Sequence, residues 1–222
     1  MKYLSTPILK LFMDIINSLE WRYATKKFDS SKKLTEAQIN TLKRAFTLTA
    51  TSFGLQPLKM LVISNKELQE EIVPLAFGQR QVADASHLLV ICIEDNTTTA
   101  DINNYFNRVI ETRGTDEEII SNFRQQLIDM FNKKSIDEKQ LSSKHQAYIT
   151  LGNLMTVCAV EKIDACPMEG FLPNKVDDLL NLSEKNLKSV LLLPVGFRAE
   201  NDFMSSQKKV RKPLEELILE IK

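Results

Sequence analysis

Apolar residues recur along the chain with the period of helices in some stretches and as short continuous runs in others. The helical period predicts helices over residues 14–22, 35–46, 65–76, 141–162 and 175–180. The short apolar runs predict buried strands over residues 58–64, 86–94 and 189–195. We see no repeat and no linker, so this mixture of many helices and few strands predicts one α+β domain over residues 1–222.

Capping residues mark two of the predicted helix starts. Thr35 with Gln38 three residues later forms a capping box, and Asn65 is a favoured N-cap residue. The helix after Thr35 is predicted to bury Ile39, Leu42, Ala45 and Phe46. In the first helix, the apolar positions are Ile15, Ile16 and Leu19.

The second half of the chain combines a polar helical region with a long apolar helix. Residues 99–139 are helical but polar, are divided by Gly114, and form a candidate lid. The long helix carries the stripe Tyr148, Leu151, Met155, Cys158 and Ala159. Its Gly152 is expected to allow close approach of another helix, and residues 164–171 are predicted to be a loop. The tail, residues 211–222, is apolar enough to be expected to pack, for example on a partner subunit.

Composition narrows the classes of function. The 29 Lys and Arg residues balance 29 Asp and Glu residues, so no global field favours nucleic acid or an anionic membrane. No apolar run is long enough to span a bilayer, and residues 1–12 lack a signal-peptide pattern and are expected to be an N-terminal extension. Three widely spaced cysteines predict reduced thiols in a cytoplasmic protein and no metal site.

Two pairs of cations stand near opposite ends of the chain. Arg22 and Lys26 lie four residues apart in a segment predicted to be extended, so both side chains share a face with only Ala24 between them. Lys209 and Arg211 share a face in the same way. Such pairs suit a phosphorylated anionic ligand, although each pair by itself also fits a solvated surface.

Two loops could reach a ligand, and the sequence lacks the recognisable catalytic motifs. Residues 51–57 offer hydroxyls and an amide, and residues 167–171 offer backbone N–H groups beside Gly170. We find no glycine-rich dinucleotide motif, and neither His87 nor His145 belongs to a recognisable nucleophilic triad.

Taken in order, these pieces resemble the nitroreductase family of FMN-dependent NAD(P)H oxidoreductases, in the branch of the oxygen-insensitive nitroreductases and dihydropteridine-reductase-like proteins. The resemblance extends from Met13 to about Pro213. The matching segments are residues 13–16, 22–29, 32–35, 56–57, 84–87, 152–153, 167–171, 194–196 and 209–211. It implies a mostly antiparallel central sheet flanked by helices, and an intertwined homodimer with FMN at the subunit interface.

The resemblance also implies roles for individual residues. Arg22, Lys209 and Arg211 match phosphate ligands, and Lys26 matches a lysine at the N1/O2 edge of the flavin. Glu169 and Gly170 match the loop over the isoalloxazine ring, and Thr51 and Ser52 match residues given by the other subunit. The expected cofactor-binding set is Arg22, Tyr23, Ala24, Lys26, Thr51, Ser52, Gly78, Gln81, Pro167, Met168, Glu169, Gly170, Lys209 and Arg211.

Four positions depart from the family's pattern. Ala24 stands where a serine is frequent, Gly78 where an asparagine is frequent, Gln81 where a lysine is frequent, and Leu58 where a tryptophan is usual. Because the cation near the ring is missing at Gln81, we expect a lower flavin potential than in relatives that have it.

The resemblance implies an enzyme in which NAD(P)H reduces FMN and a nitroaromatic, quinone or pterin-type acceptor then reoxidises it in a ping-pong cycle. No residue of the protein is expected to act as a nucleophile; Lys26 and Glu169 tune the cofactor. Two alternatives stay open. Gly78 and Gln81 would also suit a flavin-binding protein without turnover, and residues 208–212 would suit a basic patch that binds nucleic acid.

Overall fold

The computed structural model describes residues 15–222, so the predicted N-terminal extension and residues 13 and 14 lie outside the described residues. The α-helices, in chain order, are α1 (Ile15–Trp21), α2 (Glu36–Thr47), α3 (Lys66–Leu75), α4 (Gln81–Asp84), α5 (Thr99–Arg113), α6 (Glu117–Asn132), α7 (Ile136–Val160), α8 (Pro173–Leu179) and α9 (Leu214–Leu217). The strands are β1 (Leu58–Ile63), β2 (His87–Glu94), β3 (Asp164–Ala165) and β4 (Leu187–Gly196). Single 3-10 turns occur at Ser52–Gly54, Ser183–Lys185 and Phe203–Ser206.

The four strands form one antiparallel sheet in the order β1-β2-β4-β3. Leu58 pairs with Ile93 across β1 and β2, and Leu88 pairs with Pro194 across β2 and β4. Helices cover both faces of this sheet, which confirms the predicted α+β class.

The central strand β2 explains why a continuous apolar run is needed here. Leu88, Val90 and Cys92 point into the core beneath α3 and α8. Leu89, Ile91 and Ile93 point into the core beneath α2 and α7. Successive side chains of a strand face opposite sides, so a strand covered on both faces must be apolar at every position.

The predicted caps are confirmed. Thr35 and Gln38 form a reciprocal capping box at the start of α2, and the Asn65 side chain accepts a hydrogen bond from Leu68 N at the start of α3. Gly114 ends α5 with a left-handed φ of 65°, which glycine adopts without steric cost.

The start of α7 was predicted wrongly. The helix begins at Ile136 rather than at residue 141, because Ser135 and Glu138 form a capping box there. A Cβ at Gly152 would have no atom within 4 Å in the described structure, so close approach of a helix from another chain at this position stays a prediction. In the predicted stripe, Leu151 and Cys158 are buried but Tyr148 is exposed.

Residues 164–171 are not the simple loop that we predicted. β3 pairs with β4, and an isolated bridge joins Met168 to Leu192. Cys166 N donates to the Pro194 carbonyl at 3.1 Å, and Met168 N donates to the Leu192 carbonyl at 2.9 Å. The segment therefore forms an irregular edge of the sheet, because the outer edge of β4 offers backbone partners that the local sequence does not show.

Several apolar side chains are exposed in the described residues. Ile15, Ile16 and Leu19, the apolar positions of α1, are exposed. The tail is exposed as well, and the side chain of Leu219 is 91% exposed. Within residues 15–222, no helix has both the length and the apolar character needed to cross a membrane.

Candidate functional site

The segment that carries Arg22 and Lys26 is extended and tied to the edge of the sheet. Ala24 forms a parallel bridge with Ala165, and Thr25 N donates to the Ala165 carbonyl at 3.3 Å. Thr25 is buried, whereas Arg22 and Ala24 are partly exposed and Lys26 is exposed. Bridges at Ala24 and Phe28 agree with the extended backbone predicted from the sequence, and a bend interrupts it at Lys26.

The structure brings three of the predicted cations together. Arg22, Lys209 and Arg211 line one cavity of about 390 Å³ between residues 20–24 and residues 204–211, which we call the cation cavity. The Lys209 ammonium donates a hydrogen bond to the Arg22 carbonyl. In residues 15–222, none of these three side chains forms a salt bridge.

The cation cavity carries an excess of positive charge, because Arg22, Lys208, Lys209 and Arg211 line it together with the single carboxylate of Glu20. Burial lowers the pKa of Arg22, and the nearby Arg211 lowers it further. Burial also lowers the pKa of Lys209, as do Arg22 and Arg211, although Glu20 opposes them. Since each charge disfavours the others, an anion bound among them would relieve the repulsion. A phosphate monoester fits this requirement in charge and in donor chemistry.

Lys26 contacts a second set of polar groups. Its Nζ lies 3.9 Å from Cys166 Sγ, and Gln81 Nε2 lies 4.0 Å from the same sulfur. Gln81 Nε2 also donates to Gln79 Oε1 at 3.1 Å, and Gln79 Nε2 donates to the Gly170 carbonyl at 2.9 Å. These five residues, Lys26, Gln79, Gln81, Cys166 and Gly170, form what we call the polar cluster.

The polar cluster joins three separate parts of the chain. Gln81 begins the short helix α4, which the sequence analysis did not predict, and its side chain is only 6% exposed. Burial raises the pKa of the Cys166 thiol, while Lys26 and Gln81 oppose that shift. The thiol is therefore neutral at physiological pH, and it acts as a small polarizable neighbour of the Lys26 ammonium.

The segment 167–171 presents its exposed turn beside this cluster. Met168 and Phe171 are buried in the core, whereas Glu169 and Gly170 are exposed. A Cβ on Gly170 would lie 3.3 Å from Gln79 Nε2, so a larger residue would press on the polar cluster. Pro167 is partly exposed between the buried Cys166 and Met168.

Gly78 lies in an exposed turn after α3. Its φ of 73° falls in the left-handed region, which glycine and asparagine tolerate better than other residues. Glycine at this position therefore adopts the turn without strain and offers no side chain to a ligand.

Thr51 and Ser52 lie in a different part of the subunit. Thr51 Oγ1 accepts a hydrogen bond from Gln56 N at 3.1 Å, and Ser52 N donates to Gln146 Oε1 on α7 at 2.9 Å. Neither residue lines the cation cavity. Their expected role in a site shared between subunits stays a prediction.

Sequence reasoning missed several residues that surround the candidate site. Cys166 and Gln79 are in contact with predicted residues, and their only sequence signal is proximity to Pro167 and Gly78. Asp202 is buried against the segment that carries Lys26, and its only signal is an N-cap position before Phe203–Ser206. In residues 15–222, no group of His, Cys, Asp or Glu side chains is arranged to hold a metal ion.

Comparisons with known proteins agree on one family. The model of the Nitroreductase family matches residues 19–197. The oxygen-insensitive NAD(P)H nitroreductase of Salmonella typhimurium is 31% identical over 222 residues, covering 94% of this chain and 100% of that protein. The oxygen-insensitive NAD(P)H nitroreductase of Enterobacter cloacae is 31% identical over 221 residues, with 94% and 100% coverage.

Solved structures share the fold. A nitroreductase-like protein from Streptococcus mutans superposes with a TM-score of 0.82 at 22% identity, covering 94% of this chain and 98% of that chain. A protein from Exiguobacterium sibiricum, assigned to the nitroreductases and solved in complex with FMN, superposes with a TM-score of 0.80 at 19% identity, with 94% and 97% coverage.

Proposed function

Because the chain belongs to the nitroreductase family, we propose that it is an FMN-dependent oxidoreductase that uses NAD(P)H to reduce an acceptor of the nitroaromatic, quinone or pterin class. Bound FMN would supply the chemistry by accepting a hydride from NAD(P)H and passing it to the acceptor in a ping-pong cycle. The protein supplies binding, orientation and electrostatics, which agrees with the absence of a nucleophilic triad from the sequence.

The cation cavity is the observation that carries this proposal. Arg22, Lys209 and Arg211 would hold the phosphate of FMN, whose two negative charges match the unpaired cations. Each charge-assisted hydrogen bond to the phosphate is worth about 1.5–3 kcal/mol. The convergence of these residues on one cavity favours the phosphate role over a flat patch for nucleic acid.

The polar cluster would lie at the ring end of the cofactor. Lys26 would place a positive charge beside the ring, where charge develops during hydride transfer. Gln81, Glu169 and Gly170 would border the same ring, and Tyr23, Ala24, Pro167 and Met168 belong to the backbone segments that carry the charged residues. The helices α5 and α6 would cover the acceptor slot.

The exposed apolar surfaces support a homodimer. α1 and the tail expose large apolar side chains such as Ile15, Leu19 and Leu219, and large exposed apolar patches commonly mark interaction surfaces. We propose that the tail packs on the partner subunit and that Thr51 and Ser52 complete the partner's site. Light scattering of a Leu217→Glu, Leu219→Glu variant should show monomers; a dimer as stable as wild type would count against this assignment.

Two measurements test the proposed function. An absorbance spectrum of the purified protein should show flavin bands, and a colourless protein that does not take up added FMN would contradict the proposal. Rapid-mixing experiments with NADH and with NADPH should then bleach the flavin. Absence of reduction by either nucleotide would favour the alternative of a flavin-binding protein without turnover, for which the missing polar side chain at Gly78 and the missing cation at Gln81 are the supporting features.

A further inference from the structure

Asp202 is a buried carboxylate with four hydrogen-bond donors. The residue is only 2% exposed. Oδ2 accepts hydrogen bonds from Lys26 N at 2.9 Å, from Lys27 N at 3.2 Å and from the Tyr23 hydroxyl at 3.0 Å. Oδ1 accepts from Met204 N at 3.1 Å. All the donors on Oδ2 come from the segment that also carries Arg22.

Asp202 lies shortly before the tail that carries Lys209 and Arg211. The chain just before Asp202 is anchored to the same segment, because Ala199 N donates to the Lys27 carbonyl at 2.9 Å. After Asp202 the chain runs through Phe203–Ser206 to Lys209 and Arg211, and almost all of this stretch is exposed. Asp202 is therefore the last buried residue before the cations of the tail.

A second contact fixes the same segment from its other side. The Arg198 guanidinium lies 4.3 Å from the centre of the Trp21 ring and 4.6 Å from that of Tyr23. Arg198 is itself held by Asp164, with Nη2 to Oδ1 at 2.6 Å. Tyr23 is thus held between a cation on its face and the Asp202 carboxylate at its hydroxyl, which leaves the segment little freedom.

We propose that Asp202 is a positioning residue for the cofactor site: it holds the segment that carries Arg22 and Lys26 in register with the tail that carries Lys209 and Arg211. This inference rests on the proposed function, because it takes the cation cavity as the phosphate site of FMN. We assign Asp202 no direct contact with FMN, NAD(P)H or the acceptor. It acts through the backbone N–H groups of Lys26 and Lys27 and through the Tyr23 hydroxyl.

Charge and position predict opposite effects at this residue. Removing a carboxylate makes the surroundings of the cavity more positive, so electrostatics by itself would tighten the binding of a phosphate. Losing the positioning contacts would separate the cations and weaken the binding. The sign of the change in affinity therefore distinguishes a positioning role from a purely electrostatic one.

The experiment titrates the flavin-free protein with FMN and with riboflavin, following flavin fluorescence. We expect Asp202→Asn to weaken FMN binding about tenfold, the size expected for one lost charge-assisted contact. The loss for riboflavin, which has no phosphate, should be clearly smaller. Glu200→Gln is the matched control, because it removes one carboxylate from an exposed neighbour and should leave both affinities unchanged.

Three results would overturn the inference or its premise. FMN binding that is unchanged or tighter in Asp202→Asn would overturn the positioning role, and so would an equal loss for FMN and riboflavin, which a general destabilisation produces. A wild-type protein that binds FMN no better than riboflavin would instead contradict the phosphate site and therefore the proposed function.

A milder variant keeps the inference testable where Asp202→Asn does not fold. Tyr23→Phe removes one donor to Asp202 and leaves the carboxylate and its three backbone donors in place. We expect it to weaken FMN binding about threefold, less than Asp202→Asn, because the carboxylate and its three backbone donors still hold the segment, with a smaller change for riboflavin. Equal affinities of Tyr23→Phe and wild type for FMN would count against the positioning role.

Discussion

The cation cavity and the polar cluster lie along the same extended segment but treat charge in opposite ways. In the cavity, Arg22, Lys209 and Arg211 face one another with no salt bridge from the described residues. In the polar cluster, the single cation of Lys26 stands beside a neutral thiol and the Gln81 amide. In the cation cavity the like charges repel one another, and a bound anion would relieve that repulsion. In the polar cluster one charge is surrounded by neutral polar groups.

Because of this difference, we expect the cation cavity to determine how tightly the cofactor binds and the polar cluster to determine its reactivity. Full charges that lack partners gain most when a phosphate arrives, so we assign most of the cofactor's binding energy to the cation cavity. Dipoles around one cation change little on binding but set the local potential, so we assign the tuning of the cofactor to the polar cluster. Substitutions in the two regions should then change different observables.

The largest effect is expected from Arg211→Ala. The bound phosphate would lose a charge-assisted partner worth about 1.5–3 kcal/mol, so FMN should be held about tenfold to a hundredfold less tightly. Equilibrium titration with FMN measures this, and Lys212→Ala is the matched control, because Lys212 belongs to the same tail but does not line the cavity. Equal FMN affinity of Arg211→Ala and wild type would contradict the assignment of the phosphate to the cation cavity.

The next effect concerns pH and Asp202. Burial raises the pKa of Asp202, but its donors outweigh burial, namely the N–H groups of Lys26, Lys27 and Met204 and the Tyr23 hydroxyl, and hold the pKa below its ordinary value of 3.8. A lowered pKa in the folded state means that the carboxylate stabilises the fold above the unfolded pKa and that this contribution is lost as pH falls through the folded one.

The affinity of wild type for FMN should therefore approach that of Asp202→Asn as the pH falls below the ordinary carboxyl range. The other titratable or charged groups around Asp202 are Tyr23, Lys26, Cys166, Arg198 and Asp164. They are present in both proteins, so the difference between the two titrations isolates Asp202. A constant ratio of the two affinities from neutral to acid pH would contradict this prediction.

A smaller change is expected from Gln81→Lys, and it should appear in the potential rather than in the affinity. A second cation in the polar cluster would favour electron uptake by the cofactor, raising its midpoint potential by about 30 mV or more, since 30 mV corresponds to about 1.4 kcal/mol for a two-electron couple. Redox titration measures it, and an unchanged or lowered potential would refute the role of position 81. Gln79→Lys is a useful comparison, because it places the charge on the neighbouring amide of the same cluster.

The smallest effect is expected from Cys166→Ala. The thiol is a weak hydrogen-bond partner at 3.9 Å from Lys26 Nζ, so its removal should shift the midpoint potential by no more than about 20 mV. The affinity for FMN should stay that of wild type. A loss of affinity comparable to that of Arg211→Ala would show that the two regions are not separate in function.

Local sequence was sufficient for much of the fold and for part of the site. Capping residues such as Thr35 and Asn65, and apolar runs such as that of β2, act over a few residues and could be recognised directly. The cations of the cavity could be named because they match a family pattern, although they are separated by almost the whole chain. The same approach placed the start of α7 five residues late, because the polar first turn hid the capping box at Ser135.

By itself, the sequence determined the α+β class, the extended segment between Arg22 and Phe28 and the family to which the chain belongs, because propensity, capping and motif order are local properties. Only the tertiary structure decided that β4 recruits residues 164–168 as an irregular edge, that Gly152 meets no other helix among residues 15–222 and that Asp202 holds the segment beside Lys26. Such contacts join residues up to about 180 positions apart, and their energy depends on burial and mutual geometry, which no local pattern contains.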